Sequence, residues 1–199
     1  MIKLTVIIPV YNEIKTIEKL INKILEINLS KQIIVVDDGS NDGTDIVLQK
    51  LSYKIDKLIV HPKNLGKGAA IKSGQEHIKG KYIGIQDADL EYDPKDYQKI
   101  LEPFTLGVAD VVYGSRFIGS DKKRVLYFWH TVGNKFLTLF SNFFTNLNLS
   151  DMEVGYKAFK TDIIKNINLK ENRFGFEPEI TAKIAKRNLK IYEVGVKYY

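Results

Sequence analysis

No cysteine occurs among the 199 residues. This excludes a disulfide framework, thiolate metal ligation and thiol catalysis, and it suits a reducing compartment. Nor is there an unbroken apolar run of about 18 residues, the minimum for a membrane-spanning helix. The first residues, Met1-Ile2-Lys3-Leu4-Thr5-Val6, read as a strand and not as a signal segment. There are only three histidines, His61, His77 and His130, and they share no metal-ligand spacing; structural roles are expected of them. No Gly-x-Gly-x-x-Gly follows the first apolar run and no complete P-loop occurs, which removes dehydrogenase and P-loop NTPase readings. Repeats, low-complexity tracts and Pro/Gly-rich linkers are absent too, so one domain is expected over 1–199.

The charge is uneven. Thirty Lys and Arg stand against 24 Asp and Glu, for a formal net charge of +6. Residues 1–120 carry 16 basic and 16 acidic side chains, whereas residues 121–199 carry 14 and 8. The whole excess therefore lies in the last part of the chain, where it suits an anionic partner or, more plainly, solvated helix faces. Nucleic acid would account for the charge but not for the acidic loops described below, and it is not expected as a partner.

Short apolar, β-branched runs at 5–10 (TVIIPV), 33–36 (IIVV), 58–60, 82–85 and 108–113 alternate with segments of helical period at 14–27, 43–51 and 68–78. Continuous apolar strands suit a sheet covered on both faces, and the alternation predicts an α/β domain with a mostly parallel sheet flanked by helices. Residues 125–149 differ. Seven of the 22 aromatic residues (Tyr127, Phe128, Trp129, Phe136, Phe140, Phe143, Phe144) fall within 18 positions. Polar interruptions at Asn134, Lys135, Ser141 and Asn142 argue for an amphipathic helix or helix pair, broken near Gly133. Such a segment either packs its aromatics onto the sheet or lays them in a membrane interface. A helix at about 179–186 and a strand at 191–199 close the chain.

In open α/β sheets, ligands bind beyond the carboxyl ends of the strands. Here those loops are Pro9-Val10-Tyr11-Asn12-Glu13, Asp37-Asp38-Gly39-Ser40-Asn41-Asp42-Gly43-Thr44, Asn64-Leu65-Gly66-Lys67-Gly68 and Gln86-Asp87-Ala88-Asp89-Leu90-Glu91. The Asp87/Asp89 pair would repel itself unless a cation lay between the carboxylates. Hard divalent ions take one or two carboxylates and share their remaining positions with phosphate oxygens. A solvated turn is the plainer alternative. Gly66-Lys67-Gly68 offers backbone N–H groups to an anion at the start of the helix it opens.

Taken in order, VIIPVYNE, VVDDGSNDGT, NLGKGAA, QDADLEYDP, YGSRF, DMEVGYKAF and FGFEPEITAKIAKRNLKIYEVGVKYY resemble family-2 glycosyltransferases of GT-A (Rossmann-like) fold. Most similar is the branch of dolichyl-phosphate mannose synthase and other polyprenyl-phosphate glycosyltransferases. The resemblance implies a nucleotide-sugar-binding part at 1–120 and an acceptor- and membrane-facing part at 121–199. It places Pro9, Tyr11, Glu13, Asp37 or Asp38, Gly66, Lys67, Asp87, Ala88 and Asp89 around the nucleotide sugar. Asp87, Asp89 and Glu91 become the ligands of Mg²⁺ or Mn²⁺, Asp87, Asp89 and Arg116 the catalytic groups, and Arg116 and Arg124 (with Lys122 and Lys123) the contacts of the acceptor phosphate. Asp151, Glu153, Glu177 and Glu179 fall in acidic motifs that supply a general base in many relatives, although a phosphate acceptor is already an anionic nucleophile.

The activity so implied is inverting transfer of mannose or glucose from a GDP- or UDP-sugar to a polyprenyl or dolichyl phosphate, at the cytoplasmic face of a membrane, with room for a membrane subunit as partner. A soluble glycan or protein acceptor, or a non-catalytic nucleotide-sugar-binding module, is the alternative. In this branch the chain commonly runs on past the position of Tyr199 with a basic segment carrying an Arg at the phosphates, and many relatives add membrane helices.

Overall fold

The computed structural model describes residues 3–119 and 124–199. Lys122 and Lys123, expected at the acceptor phosphate, lie outside the described residues.

Seven strands form one sheet: β1 (Leu4–Val10), β2 (Lys31–Asp37), β3 (Lys57–Val60), β4 (Tyr82–Ile85), β5 (Val111–Ser115), β6 (Lys157–Lys160) and β7 (Ile191–Gly195). Their order is β3-β2-β1-β4-β6-β5-β7. All neighbours pair in parallel except β6, which runs antiparallel to both β4 and β5. The expected mostly parallel sheet is thus present. The central strands are buried because both their faces are apolar: Val6, Ile7, Ile8, Ile34, Val35 and Val36 are fully enclosed. Around the sheet lie helices α1 (Ile17–Leu25), α2 (Thr44–Lys50), α3 (Lys67–Gln75), α4 (Tyr97–Thr105), α5 (Phe128–Thr145), α6 (Thr161–Lys165) and α7 (Phe176–Ala185). In α1 the buried set Ile17, Leu20, Ile21 and Ile24 keeps the helical spacing that brings one face onto the sheet.

Chain order runs outward from β1 to β2 and β3, then returns to place β4 on the other side of β1. That reversal opens a crevice beyond the carboxyl ends of β1 and β4, where the acidic loops emerge.

One expectation is corrected, and one of two alternatives falls. The aromatic segment is one unbroken helix, α5, with no break at Gly133. A β-carbon at Gly133 would meet nothing within 4 Å, so no neighbouring backbone presses on the helix there and nothing forces a kink. Nor do its aromatics pack onto the sheet. Phe128, Trp129, Phe136, Phe140, Phe143 and Phe144 are all more than half exposed, while Thr138 is buried and Asn134, Ser141 and Asn142 are half-buried. Thr138 accepts the Met152 N–H at 3.2 Å, and the Asn142 side chain holds both the N–H and the carbonyl of Leu149, at 3.1 and 2.8 Å. Its amphipathic order is inverted, with the apolar face outward. Among the described residues no helix is long and apolar enough to cross a membrane.

Candidate active site

A cleft of about 710 Å³ lies at the crevice, lined by residues from β1 (Pro9, Val10), the loop after it (Tyr11, Glu13), Asp38 after β2, Asn64 and Gly66 before α3, and Asp87, Ala88 and Asp89 after β4. Lys67 and Ala70 from α3 and the pair Arg173 and Phe174 complete the wall. Nine of the ten residues expected around a nucleotide sugar thus come together.

Asp37 is the tenth. Of the two neighbours, Asp38 reaches the lining, whereas Asp37 is fully buried in the end of β2 and accepts the Ser40 N–H at 3.0 Å. Asp38 also shapes the wall. Its carboxylate accepts the N–H groups of Leu65 (3.0 Å) and Gly66 (2.7 Å) and meets His61 Nδ1 at 2.6 Å, while His61 Nε2 lies 2.9 Å from Ser73 Oγ. The loop before α3 is thereby tied directly to Asp38 at the end of β2, and the buried His61 links the same carboxylate to Ser73 of α3, a structural role.

Gly66 and Gly68 do not form an open anion cradle. Gly66 has φ +104°, a conformation that L side chains rarely adopt, and a β-carbon there would lie 2.3 Å from the Asn172 carbonyl oxygen. One at Gly68 would lie 2.4 Å from the Glu171 carbonyl. Both glycines admit the backbone of residues 171–173, and the Ala69 N–H donates to the Asn172 carbonyl at 3.1 Å. Protein backbone takes part of the helix end that an anion would otherwise occupy.

Electrostatics centre on Lys67. Its Nζ stands 2.8 Å from Asp87 Oδ1 and 2.9 Å from Glu177 Oε1. Burial pulls against the ammonium, but the two carboxylates outweigh it and raise its pKa. Asp89 has no such partner. Burial and then the neighbouring charges of Asp87, Glu91 and Glu13 push it up to about 6. A carboxylate crowded by like charge gains from a cation, so Asp87 and Asp89 suit a hard divalent ion completed by phosphate oxygens. No set of three acidic or imidazole ligands gathers among the described residues.

Glu91, expected as the third ligand, stands outside the cleft lining. Its Oε2 accepts the Tyr198 hydroxyl at 2.5 Å, and its carbonyl accepts the Tyr199 N–H at 3.0 Å, so the end of the chain holds it aside. Arg116 also stands outside the cleft lining. It grips Asp151 through Nε and Nη2, both at 2.7 Å, with Asp151 fully buried, and its guanidinium lies over the Tyr198 ring. A guanidinium so paired is not presented to the cleft, and removing it would leave a buried charge. Arg124 is exposed and gives one N–H to the Tyr199 carbonyl at 3.1 Å.

Two lining residues, Arg173 and Phe174, and the Glu177 contact to Lys67 carry no expectation of this geometry. The glycines at 66 and 68 were a partial signal, since both admit an approaching backbone, although Gly66 also serves its φ of +104°.

A sequence profile described as Glycosyl transferase family 2 matches residues 5–167. The glycosyltransferase AglJ of Haloferax volcanii is 30% identical over 195 residues, covering 98% of this chain and 62% of the relative. A dolichol-phosphate mannosyltransferase of Pyrococcus furiosus is 29% identical, covering 96% and 55%. The chain therefore spans about three-fifths of the length of these relatives. Among solved structures, glucosyl-3-phosphoglycerate synthase of Mycobacterium tuberculosis, in complex with Mn²⁺, UDP-glucose and phosphoglyceric acid, superposes with a TM-score of 0.77 at 19% identity, over 98% of this chain and 70% of that one; the likeness is one of fold. Profile, relatives and fold agree: the chain belongs to glycosyl transferase family 2.

Proposed function

We propose that the chain is the catalytic domain of a divalent-cation-dependent, inverting hexosyltransferase that moves mannose or glucose from a nucleoside diphosphate sugar to a polyprenyl phosphate at a membrane surface. The observation that carries the reading is the cleft at the β1/β4 crevice, where Asp38, Asp87 and Asp89 meet Pro9 and Tyr11. The names of the relatives support the lipid acceptor.

In this reading the half-exposed Tyr11 ring faces the base, and Asp38 keeps the 64–66 loop in place against the ribose. Asp87 and Asp89 hold Mg²⁺ or Mn²⁺, which when bound offsets the charge that develops on the leaving diphosphate. Lys67 orients Asp87 and bridges it to Glu177. The acceptor phosphate attacks the anomeric carbon opposite the diphosphate; one C–O bond forms as the other breaks, and no separate base is required of the protein. Arg124, exposed near the start of α5, offers its remaining N–H donors to that phosphate. The outward aromatic face of α5 lies in the membrane interface.

Incubation with radiolabelled GDP-mannose or UDP-glucose, Mn²⁺ and polyprenyl phosphate tests the assignment. Label moving into the organic-extractable fraction supports it. Label appearing only in an aqueous glycan or protein product, or donor binding without turnover, overturns the lipid-acceptor reading.

A further inference from the structure

Residues 170–174 form a strap over the start of α3. On one side the Asn172 carbonyl accepts the Ala69 N–H, and the Lys72 ammonium reaches both the Lys170 carbonyl, at 3.3 Å, and the Asn172 side chain. On the other, the Glu179 carboxylate accepts the N–H groups of Lys170 and Glu171 at 2.7 and 2.9 Å. The strap lies so close because positions 66 and 68 lack side chains: a β-carbon at Gly66 would come 2.7 Å from Arg173 Cγ. The stem of Arg173 thus runs over Gly66, and its side chain enters the cleft wall.

The wall it joins is acidic. Glu13, Asp38, Asp87 and Asp89 line the cleft, and the ammonium of Lys67 is already held by Asp87 and Glu177. Among the described residues Arg173 makes no ion pair and donates no side-chain hydrogen bond, the one cation of the lining in that state. A guanidinium presents parallel N–H donors that match phosphate oxygens in pairs, and an exposed, unpaired one gives up little to bind them.

We propose that Arg173 grips the diphosphate of the donor directly, without the divalent cation, and so sets the preference for a nucleoside diphosphate over a monophosphate. The assignment rests on the nucleotide-sugar reading above. It makes the strap a specificity element: the contacts of Asn172, Lys72 and Glu179 fix the backbone from which the arginine projects.

Calorimetric titration of GDP, GMP, UDP and UMP, in EDTA and in Mn²⁺, tests it on the wild type, Arg173→Gln and Arg173→Lys. In EDTA the Gln variant is expected to lose roughly tenfold or more in affinity for the diphosphate and much less for the monophosphate, with the Lys variant between. Unchanged melting curves are expected, since the guanidinium holds no other part of the fold. A Gln variant that keeps the wild-type ratio of diphosphate to monophosphate affinity overturns the assignment alone. A wild type that binds no nucleoside diphosphate even with Mn²⁺ overturns the donor-site reading on which it stands.

Discussion

Asp87 rests directly on Gly155: a β-carbon at position 155 would come 1.9 Å from Asp87 Oδ2. The glycine therefore sets where the carboxylate can point. Gly155→Ala must turn Asp87 aside, and because only the end of a side chain yields, the cost in stability should be modest, about 1–3 kcal/mol. Function should suffer more. Mn²⁺ is expected to strengthen nucleoside diphosphate binding in the wild type and to do so at least about tenfold less in the variant, one charge-assisted contact being worth that much. Equal enhancement by Mn²⁺ in both proteins would refute the placement of Asp87 as a cation ligand.

Lys67 holds two carboxylates that would otherwise repel. Replacing it in Lys67→Met leaves Asp87 and Glu177 facing one another, with Glu177 almost wholly buried. The expected loss is about 2–3 kcal/mol, below the roughly 3–5 kcal/mol of a fully enclosed pair, because a fifth of the Lys67 side chain remains in water. A double variant with Glu177→Gln should be more stable than the sum of the two single losses allows, since it removes the orphaned charge. Strictly additive denaturation free energies would show that the contact carries no coupling.

The strands that were legible are those whose surroundings match their sequence. Residues 5–10 and 33–36 are apolar on both faces because helices cover both. By contrast β6 reads Lys-Ala-Phe-Lys, and its charged ends disguise an interior strand. Lys160 is answered by Asp110 at 2.6 Å, and Lys157 is buried beneath the Tyr113 ring, neither of which a local pattern reveals. In the candidate site the acidic loops announced themselves because repelling carboxylates need a cation. What stayed hidden were relations across the fold: Glu91 bonded to Tyr198, Arg116 paired with Asp151, and the strap that brings Arg173 over Gly66. Each depends on a partner between 35 and 107 residues away in the chain.

Lys157 supplies a pH signature. Its ammonium is enclosed, with the Val154 carbonyl as its hydrogen-bond acceptor, and burial, then the nearby charge of Lys67, lower its pKa to about 8 despite the opposing pull of Glu177. The unfolded chain holds its proton up to the ordinary lysine value of 10.5. Between these values the unfolded state binds more protons, so this group's contribution to stability rises with pH; below about 8 the full penalty of the buried charge is present. Lys157→Met, which carries no charge, should therefore be more stable than the wild type at pH 7, by about 1–3 kcal/mol. The gap should narrow steadily between pH 8 and pH 10. Denaturant melts across that range check it, and a gap independent of pH would show that Lys157 is not the titrating group.

The inverted helix makes the last prediction. Soluble helices ordinarily bury their apolar stripe, yet α5 turns Thr138 and Asn142 inward and leaves Trp129, Phe136, Phe140 and Phe143 in the open. So large an outward apolar face on a folded domain marks a surface that something else covers. If that is the acyl boundary of a bilayer, each aromatic side chain withdrawn from water contributes roughly 1.5 kcal/mol, and replacing the four with Ser should lower partition into anionic vesicles by more than about a hundredfold. The core contains none of these side chains, so the melting temperature should not fall. Liposome flotation of the wild type and the four-residue variant separates the cases: loss of flotation with an intact melt places α5 at the membrane, whereas equal flotation assigns the face to some other contact and leaves the acceptor without its docking surface.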